Sequence, residues 1–532
     1  MNPMEINNNS YLEDIKELLP SVNHETLEKL SFTLDNTSWD DPTTSADWNN
    51  IAVVTLMDAQ HCTDIAMRSV YLEMAIEALN NGFKIDKSQI CSAHLALIHN
   101  WLGEKEQALQ LAFSTLLNCN NFADTIPEDY NPYLVYVFIK NPQISEYDQQ
   151  ILENVLQTKN CYQQAMFLLS EIISCSQIVF YNPAIQRFLY LSHQISDSLN
   201  LKLKIGIANL MAKQAEGLVY LQQARKLQPN YAPTLQSLYL TYRDFNHIQL
   251  ADKWLKVASE FYQSHSSSSA WQWTKLSLDS LFTYVPFEKD FIIAVEPSLK
   301  SIVTSVLLTE QDWFEKEMEF WRSYIKPGMT VIDVGANVGV YTFSAALKVG
   351  NTGRVLAVEP FSGCVRCLQE TCRINNLSWV KVCAGAASDK NSTIKLLLHA
   401  SNELNEVITD DTVDVPTGNF EEVSCFTLDS LIEQENIQQV DFIKMDAEGH
   451  EMAVLAGSKQ LINQFKPIIL YENIAGLQGS NTPVAQYIES IGYQLFYYQS
   501  FLQKLIPVNS PENYQQLNFI ALPPEKISMF NF

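Results

Sequence analysis

Glycine is scarce in this chain and unevenly spread: of 17 in 532 residues, four precede residue 260. A stretch so poor in turn-formers, with apolar residues recurring at helical spacing, predicts helices. Basic residues are also few, 35 Lys and Arg against 60 Asp and Glu, for a formal net charge of −25. Broad nucleic-acid binding needs clustered cations to neutralise phosphates, so this balance argues against it. Long apolar runs are missing: Tyr133–Ile139 falls far short of the roughly 20 residues that span a bilayer. The opening Met1-Asn2-Pro3-Met4-Glu5 lacks a basic segment followed by an apolar core, so no signal peptide is expected. Together these absences predict a soluble, cytoplasmic protein with no membrane partner. Ten cysteines in so long a chain do not suggest a disulfide scaffold. Cys364, Cys367, Cys372 and Cys383 fall on different helix faces and a strand, which reads as core rather than as a zinc or iron–sulfur site.

The length predicts two or three domains. In the helical half, Leu221 and Leu255, Ala224 and Ala258, and Gly217 and Ala251 each stand 34 positions apart. That period, with small residues where helices approach closely, resembles tetratricopeptide repeats. The resemblance implies an all-α solenoid over residues 1–263, with a concave surface suited to a protein or peptide partner. The polar run Ser264-His265-Ser266-Ser267-Ser268-Ser269 reads as a linker. Residues 264–310 are expected to be this linker and a small cap or edge hairpin, with strands at 282–285 and 291–295. An amphipathic helix is predicted from Asp312 to Tyr324. From there to 532, strands and helices alternate, which predicts a doubly wound, mainly parallel α/β sheet with its site at the carboxyl ends of the strands.

Two segments at such ends carry chemistry. In Thr330-Val331-Ile332-Asp333-Val334-Gly335-Ala336-Asn337-Val338-Gly339, an apolar strand runs into a glycine turn. The first glycine of the pyrophosphate-binding G-x-G-x-x-G pattern is replaced by Asp333, whose carboxylate repels phosphate and attracts a cation. About 20 residues on, Val358-Glu359-Pro360 places a carboxylate to accept hydrogen bonds from ribose hydroxyls. A cation, a ribose and no phosphate describe S-adenosyl-L-methionine. Gly335, Ala336 and Gly339 are expected to let the backbone approach it, with Asp333 near its ammonium and Asn337 on its carboxylate or ribose. Glu359-Pro360 is expected at the ribose, and Ser388 and Asp389 at the adenine edge. In the second segment, Lys444-Met445-Asp446-Ala447-Glu448-Gly449-His450-Glu451, charges crowd an apolar strand and its tip, a cost that suggests pairing or function. Asp446 or Glu448 is the candidate general base and Lys444 its partner, with Glu472 at the next strand end. Metal is not expected, because no metal-spaced histidine cluster is present.

These segments, with Thr427-Leu428-Asp429-Ser430-Leu431 and Asn518-Phe519-Ile520-Ala521, resemble the FkbM-type methyltransferase family over roughly residues 300–525. The resemblance implies a class I, Rossmann-like methyltransferase fold at 311–532 and O-methylation by S-adenosylmethionine. Sugar, glycan or natural-product hydroxyls are the acceptors it implies. A peptide acceptor recruited by the repeats and a non-catalytic scaffold are the alternatives.

Overall fold

The computed structural model describes residues 8–20, 22–119, 132–136, scattered residues between 152 and 190, and 198–530 apart from 265–267, 289–290, 400–404, 409–418, 474–480 and 510–515. The chain divides into two compact units, Met1–Pro229 with Phe501–Gln503, and Asn230–Ser500 with Lys504–Phe532. The expected linker residues 265–267 and most of the polar stretch after Asp410 lie outside the described residues. No described helix is long and apolar enough to cross a membrane.

In the first unit, helices Ser45–His61 and Ile65–Asp86, Gln89–Trp101 and Lys105–Cys119, and Leu199–Met211 and Gly217–Leu227 pack in sequential pairs. The Ser45 helix begins in a capping box, in which the Thr44 hydroxyl accepts from the Asp47 amide while Asp47 accepts from Thr44. Buried polar side chains hold the 132–136 segment: Asn49 donates to the Leu134 carbonyl, Asn50 to the Pro132 carbonyl, and the Tyr136 amide donates to His94 Nε2. Burial pushes His94 down to about 3, so it stays neutral and keeps that acceptor.

The two units divide at 229/230, so the helices after Pro229 belong to the second. Helices Ala232–Asp244 and Ile248–Ser264 pack on each other and on the short helix Ser269–Lys275. Gln236 donates to the Thr283 hydroxyl and the Tyr284 carbonyl, Tyr239 stacks on Trp273, and Asp244 accepts from the Leu299 amide. The period-34 positions Ala251 and Ala258 are buried in this second unit, and Gly217, Leu221 and Ala224 in the first.

The second unit also holds a hairpin, β1 (Thr283–Phe287) and β2 (Phe291–Val295), as expected of 282–295. The buried helix Ile302–Glu310 was not anticipated, because its Ile-Val-Thr start has the β-branching of a strand. Ser301 caps it by accepting from the Thr304 amide. The amphipathic helix spans Glu317–Tyr324 rather than starting at Asp312. Asp312 is held outside it, paired with Arg322 at 2.5 Å.

The main sheet contains β3 (Thr330–Val334), β4 (Arg354–Glu359), β5 (Val380–Ala384), β10 (Phe442–Met445), β11 (Ile468–Glu472), β12 (Gln494–Gln499), β13 (Lys504–Pro507) and β14 (Asn518–Leu522). A smaller sheet holds β6 (Ala386–Ala387), β7 (Ser392–Leu398), β8 (Glu406–Ile408) and β9 (Asn419–Phe426). The main order is β13-β12-β14-β11-β10-β3-β4-β5. Strands β5, β4, β3, β10 and β11 run parallel, while β14 is antiparallel to both β11 and β12. Chain order reverses beside β3, so the tips of β3, β4, β10 and β11 open on one crevice, where such sheets bind ligands. Because β14 runs the other way, it brings its first residue, Asn518, beside Glu472 at that edge.

The Thr427-Leu428-Asp429 segment proves structural. The Thr427 hydroxyl caps Leu428–Gln434, and the Asp429 carboxylate accepts the Gln460 and Leu461 amides at the start of Lys459–Phe465. Cys364, Cys367 and Cys383 are buried free thiols.

Candidate active site

Two turns meet at the crevice. The first follows β3, where the Gly335 and Ala336 amides both donate to the Val358 carbonyl. Gly335 has φ +71°, and a Cβ there would lie 1.7 Å from the Asp446 carbonyl oxygen, so only glycine fits. The second turn follows β10. Glu448 takes φ +49°, an uncommon conformation for a residue with a Cβ, and Gly449 takes φ +89°. Glu451, 1% exposed, closes that turn by accepting the Ala447 and Gly449 amides at 2.9 and 3.2 Å, with Asn481 on its other oxygen.

Strand register sets Lys444 opposite Asp333. The Lys444 ammonium lies 2.9 Å from Asp446 Oδ2, 3.9 Å from Asp333 Oδ1 and 5.2 Å from the Tyr341 ring centroid. Burial disfavours its charge, but Asp446, Asp333 and Glu315 outweigh burial and raise its pKa. Asp333 is fully buried and accepts from Thr342 at 2.6 Å. Its Oδ1 has no hydrogen-bond partner, and burial raises its pKa.

Glu359 caps β4, with one oxygen accepting the Asn337 amide and the other the Phe361 amide, each at 2.8 Å. Pro360 spans the gap between Glu359 and Phe361. Burial pushes the Glu359 carboxyl up to about 7, against the pull of these two amides. The Asn337 side-chain oxygen accepts the Val338 amide at 2.7 Å, and the Asn337 backbone amide donates to Glu359. Gly339, at φ +101°, begins the helix Val340–Val349, where Phe343 and Leu368 leave no room for a Cβ. Ser388 is buried, 2.9 Å from His450 Nε2 and 3.3 Å from Asp389. Burial lowers the His450 pKa.

Glu472, at the tip of β11, has one buried oxygen without a partner. Burial, then Asp446, Glu448 and Glu451, push its carboxyl strongly upward. Asp446, Glu448 and Glu472 each bring an oxygen within 4.8 Å of the others, a spacing that could hold a metal ion. These are the three carboxylates expected at neighbouring strand ends, with Glu472 arriving from β11. Glu315, Tyr341 and Asn518 were missed: Tyr341 and Asn518 both donate to Glu315 Oε2, at 2.6 and 3.1 Å. Nothing local in the sequence joins three residues so far apart.

Carboxylates gather at the parallel strand tips, and Gly335 serves the close contact between the β3 and β10 turns. Residues 333–495 match the model of the Methyltransferase FkbM domain. The chain therefore carries an enzyme domain of the S-adenosylmethionine-dependent methyltransferase class, and S-adenosylmethionine is its cofactor. No curated protein matches the chain. Among solved structures it is similar to a methyltransferase FkbM from Methylobacillus flagellatus KT, at 18% identity and TM-score 0.26, over 42% of this chain and 54% of that one. A SAM-dependent methyltransferase from Aquifex aeolicus is 18% identical with TM-score 0.22, over 39% of this chain and 88% of that one. Aeropyrum pernix fibrillarin, in complex with natively bound S-adenosyl-L-methionine, is 12% identical with TM-score 0.22, over 37% and 66%. The chain spans about half the length of the Methylobacillus protein.

Proposed function

We propose that the C-terminal unit methylates a hydroxyl of a sugar, glycan or natural-product acceptor. The observation that carries this reading is the Lys444–Asp446 pair at 2.9 Å, fixed at a strand tip against the Gly335 turn. The donor set suits the cofactor: Asp333 has a spare buried oxygen for a cation, Glu359 is poised for a ribose diol, and Ser388 with Asp389 stands at the next strand end. When bound, S-adenosylmethionine supplies an electrophilic methyl group on a sulfonium. The residues then hold the acceptor oxygen aligned and near, which contributes much of the rate in such displacements. Asp446 accepts the hydroxyl proton, oriented by Lys444, and Glu448 flanks the same turn as the other candidate base. Glu472, its carboxyl pushed upward by burial and neighbouring carboxylates, is suited to hydrogen-bond the acceptor.

We assign the helical first unit to recruiting an acceptor or a protein partner. The test is a cell extract incubated with the protein and isotopically labelled methyl donor, read by mass spectrometry. A labelled hydroxylated small molecule or glycan supports the reading. Label confined to polypeptide redirects it to protein methylation.

Glu359 offers a separate check. Its carboxyl ionises near 7 in the folded chain, and only the carboxylate accepts two hydroxyl bonds. Cofactor affinity is therefore expected to weaken as pH falls through about 7, and Glu359→Gln to flatten that dependence. Glu359→Ala is expected to cost roughly 2–4 kcal/mol of binding, measured by calorimetry. A pH-independent affinity in the unaltered protein would contradict the assignment.

A further inference from the structure

The region that aligns Lys444 extends beyond the segment that defines the domain. Lys444 is confined on several sides. The Asp446 carboxylate lies at 2.9 Å, the Gly335 carbonyl at 3.4 Å, Asp333 at 3.9 Å, and the Tyr341 ring centroid at 5.2 Å. An ammonium over an aromatic face is attracted to the ring and depends on the ring's placement. That placement has two sources. Trp321 meets the Tyr341 ring edge-on at 5.2 Å, and the Tyr341 hydroxyl donates to Glu315 Oε2 at 2.6 Å. Asn518 donates to the same oxygen at 3.1 Å. Glu315 lies just before the helix Glu317–Tyr324 and Asn518 opens β14; both are outside residues 333–495.

We propose that Glu315 is a positioning residue for the methyl-transfer site: it fixes the Tyr341 ring, and the ring in turn holds the Lys444 ammonium on Asp446. The inference deepens the proposed function and rests on it for its kinetic consequence, but not for its geometry. Three facts support a dedicated role. Glu315 is half-buried, its desolvation raises its pKa, and its charge lies close enough to feel both Lys444 and Asp446. Its acceptor oxygen is shared by donors from two separate elements, which leaves it little freedom. The electrostatic influence of Glu315 reaches Lys444 directly, among the carboxylates that keep the lysine charged.

The experiment compares Glu315→Ala, Glu315→Gln and Tyr341→Phe in the full chain. Glu315→Ala removes the acceptor, Glu315→Gln keeps an oxygen for Tyr341, and Tyr341→Phe keeps the ring but loses its tether. For Glu315→Ala and Tyr341→Phe, kcat is expected to fall about 10- to 100-fold, as for other small misplacements, with cofactor affinity within about threefold. The double variant is expected to be no worse than the weaker single, because both changes cut one chain of contacts. Glu315→Gln is expected to recover most of the loss. Crystal structures of the variants give a second measurement that needs no acceptor: in Glu315→Ala the Lys444 ammonium should move off Asp446. If the ammonium stays in place, or if cofactor affinity falls in step with kcat, the proposal is wrong. If the lysine moves while the unaltered protein methylates nothing, the positioning role stands and the methyl-transfer reading fails.

Discussion

Asp446→Asn is expected to lower kcat by about 10²- to 10⁴-fold, the usual contribution of a placed general base, while cofactor affinity stays near that of the unaltered protein. Asparagine preserves the size of the side chain and can still accept from Lys444, which lies 2.9 Å from Asp446 Oδ2. It cannot accept a proton from the acceptor hydroxyl. The turn itself is held by other groups, chiefly Glu451 and the Gly335 contact, so the fold should survive the change. Glu448→Gln is the companion variant. Should Asp446→Asn turn over normally while Glu448→Gln is inactive, the base is Glu448 and the role of Lys444 must be redrawn. Steady-state rates with calorimetric cofactor binding separate these results.

Lys444→Met is expected to have the largest effect on stability. The side chain is 8% exposed and faces Asp333, which is fully buried with one oxygen unpartnered. Methionine fills similar volume but leaves that carboxylate without its cation, a loss of about 3–5 kcal/mol when a buried pair is broken. The sign of the pH dependence follows from Asp333. Burial, chiefly, sets its folded pKa above that of the unfolded chain, so the folded state holds the proton more tightly. Unfolding then becomes easier as pH rises through that range and harder as pH falls. The deficit of Lys444→Met should therefore be large at neutral pH and shrink in acid, where a protonated Asp333 no longer needs a cation. Urea unfolding at two pH values measures this, and a deficit that grows in acid would refute it.

Much of the second unit could be read from the chain because its signals are local. Val380–Ala384 and Phe291–Val295 are apolar runs between polar turns, and they form strands with those bounds. The Asp333 and Glu359 segments declared themselves by spacing along the sequence. What failed to show was whatever depends on distant partners. Ile302–Glu310 has strand-like residues but is a buried helix, since packing on all sides overrides a weak local preference. Gln236, Tyr239 and Asp244 bond residues 273–299, contacts that no local composition reveals. Glu315 was silent because its partners, Tyr341 and Asn518, come from a helix start and from the last strand of the sheet.

The missing side chain at position 335 ties two loops together. With the Asp446 carbonyl occupying the space of a Cβ, neither turn can press closer to the other without displacing it. A fluorine or spin label on the 446–450 turn would therefore register donor arrival in the 335–339 turn, giving a signal for occupancy before any acceptor is known.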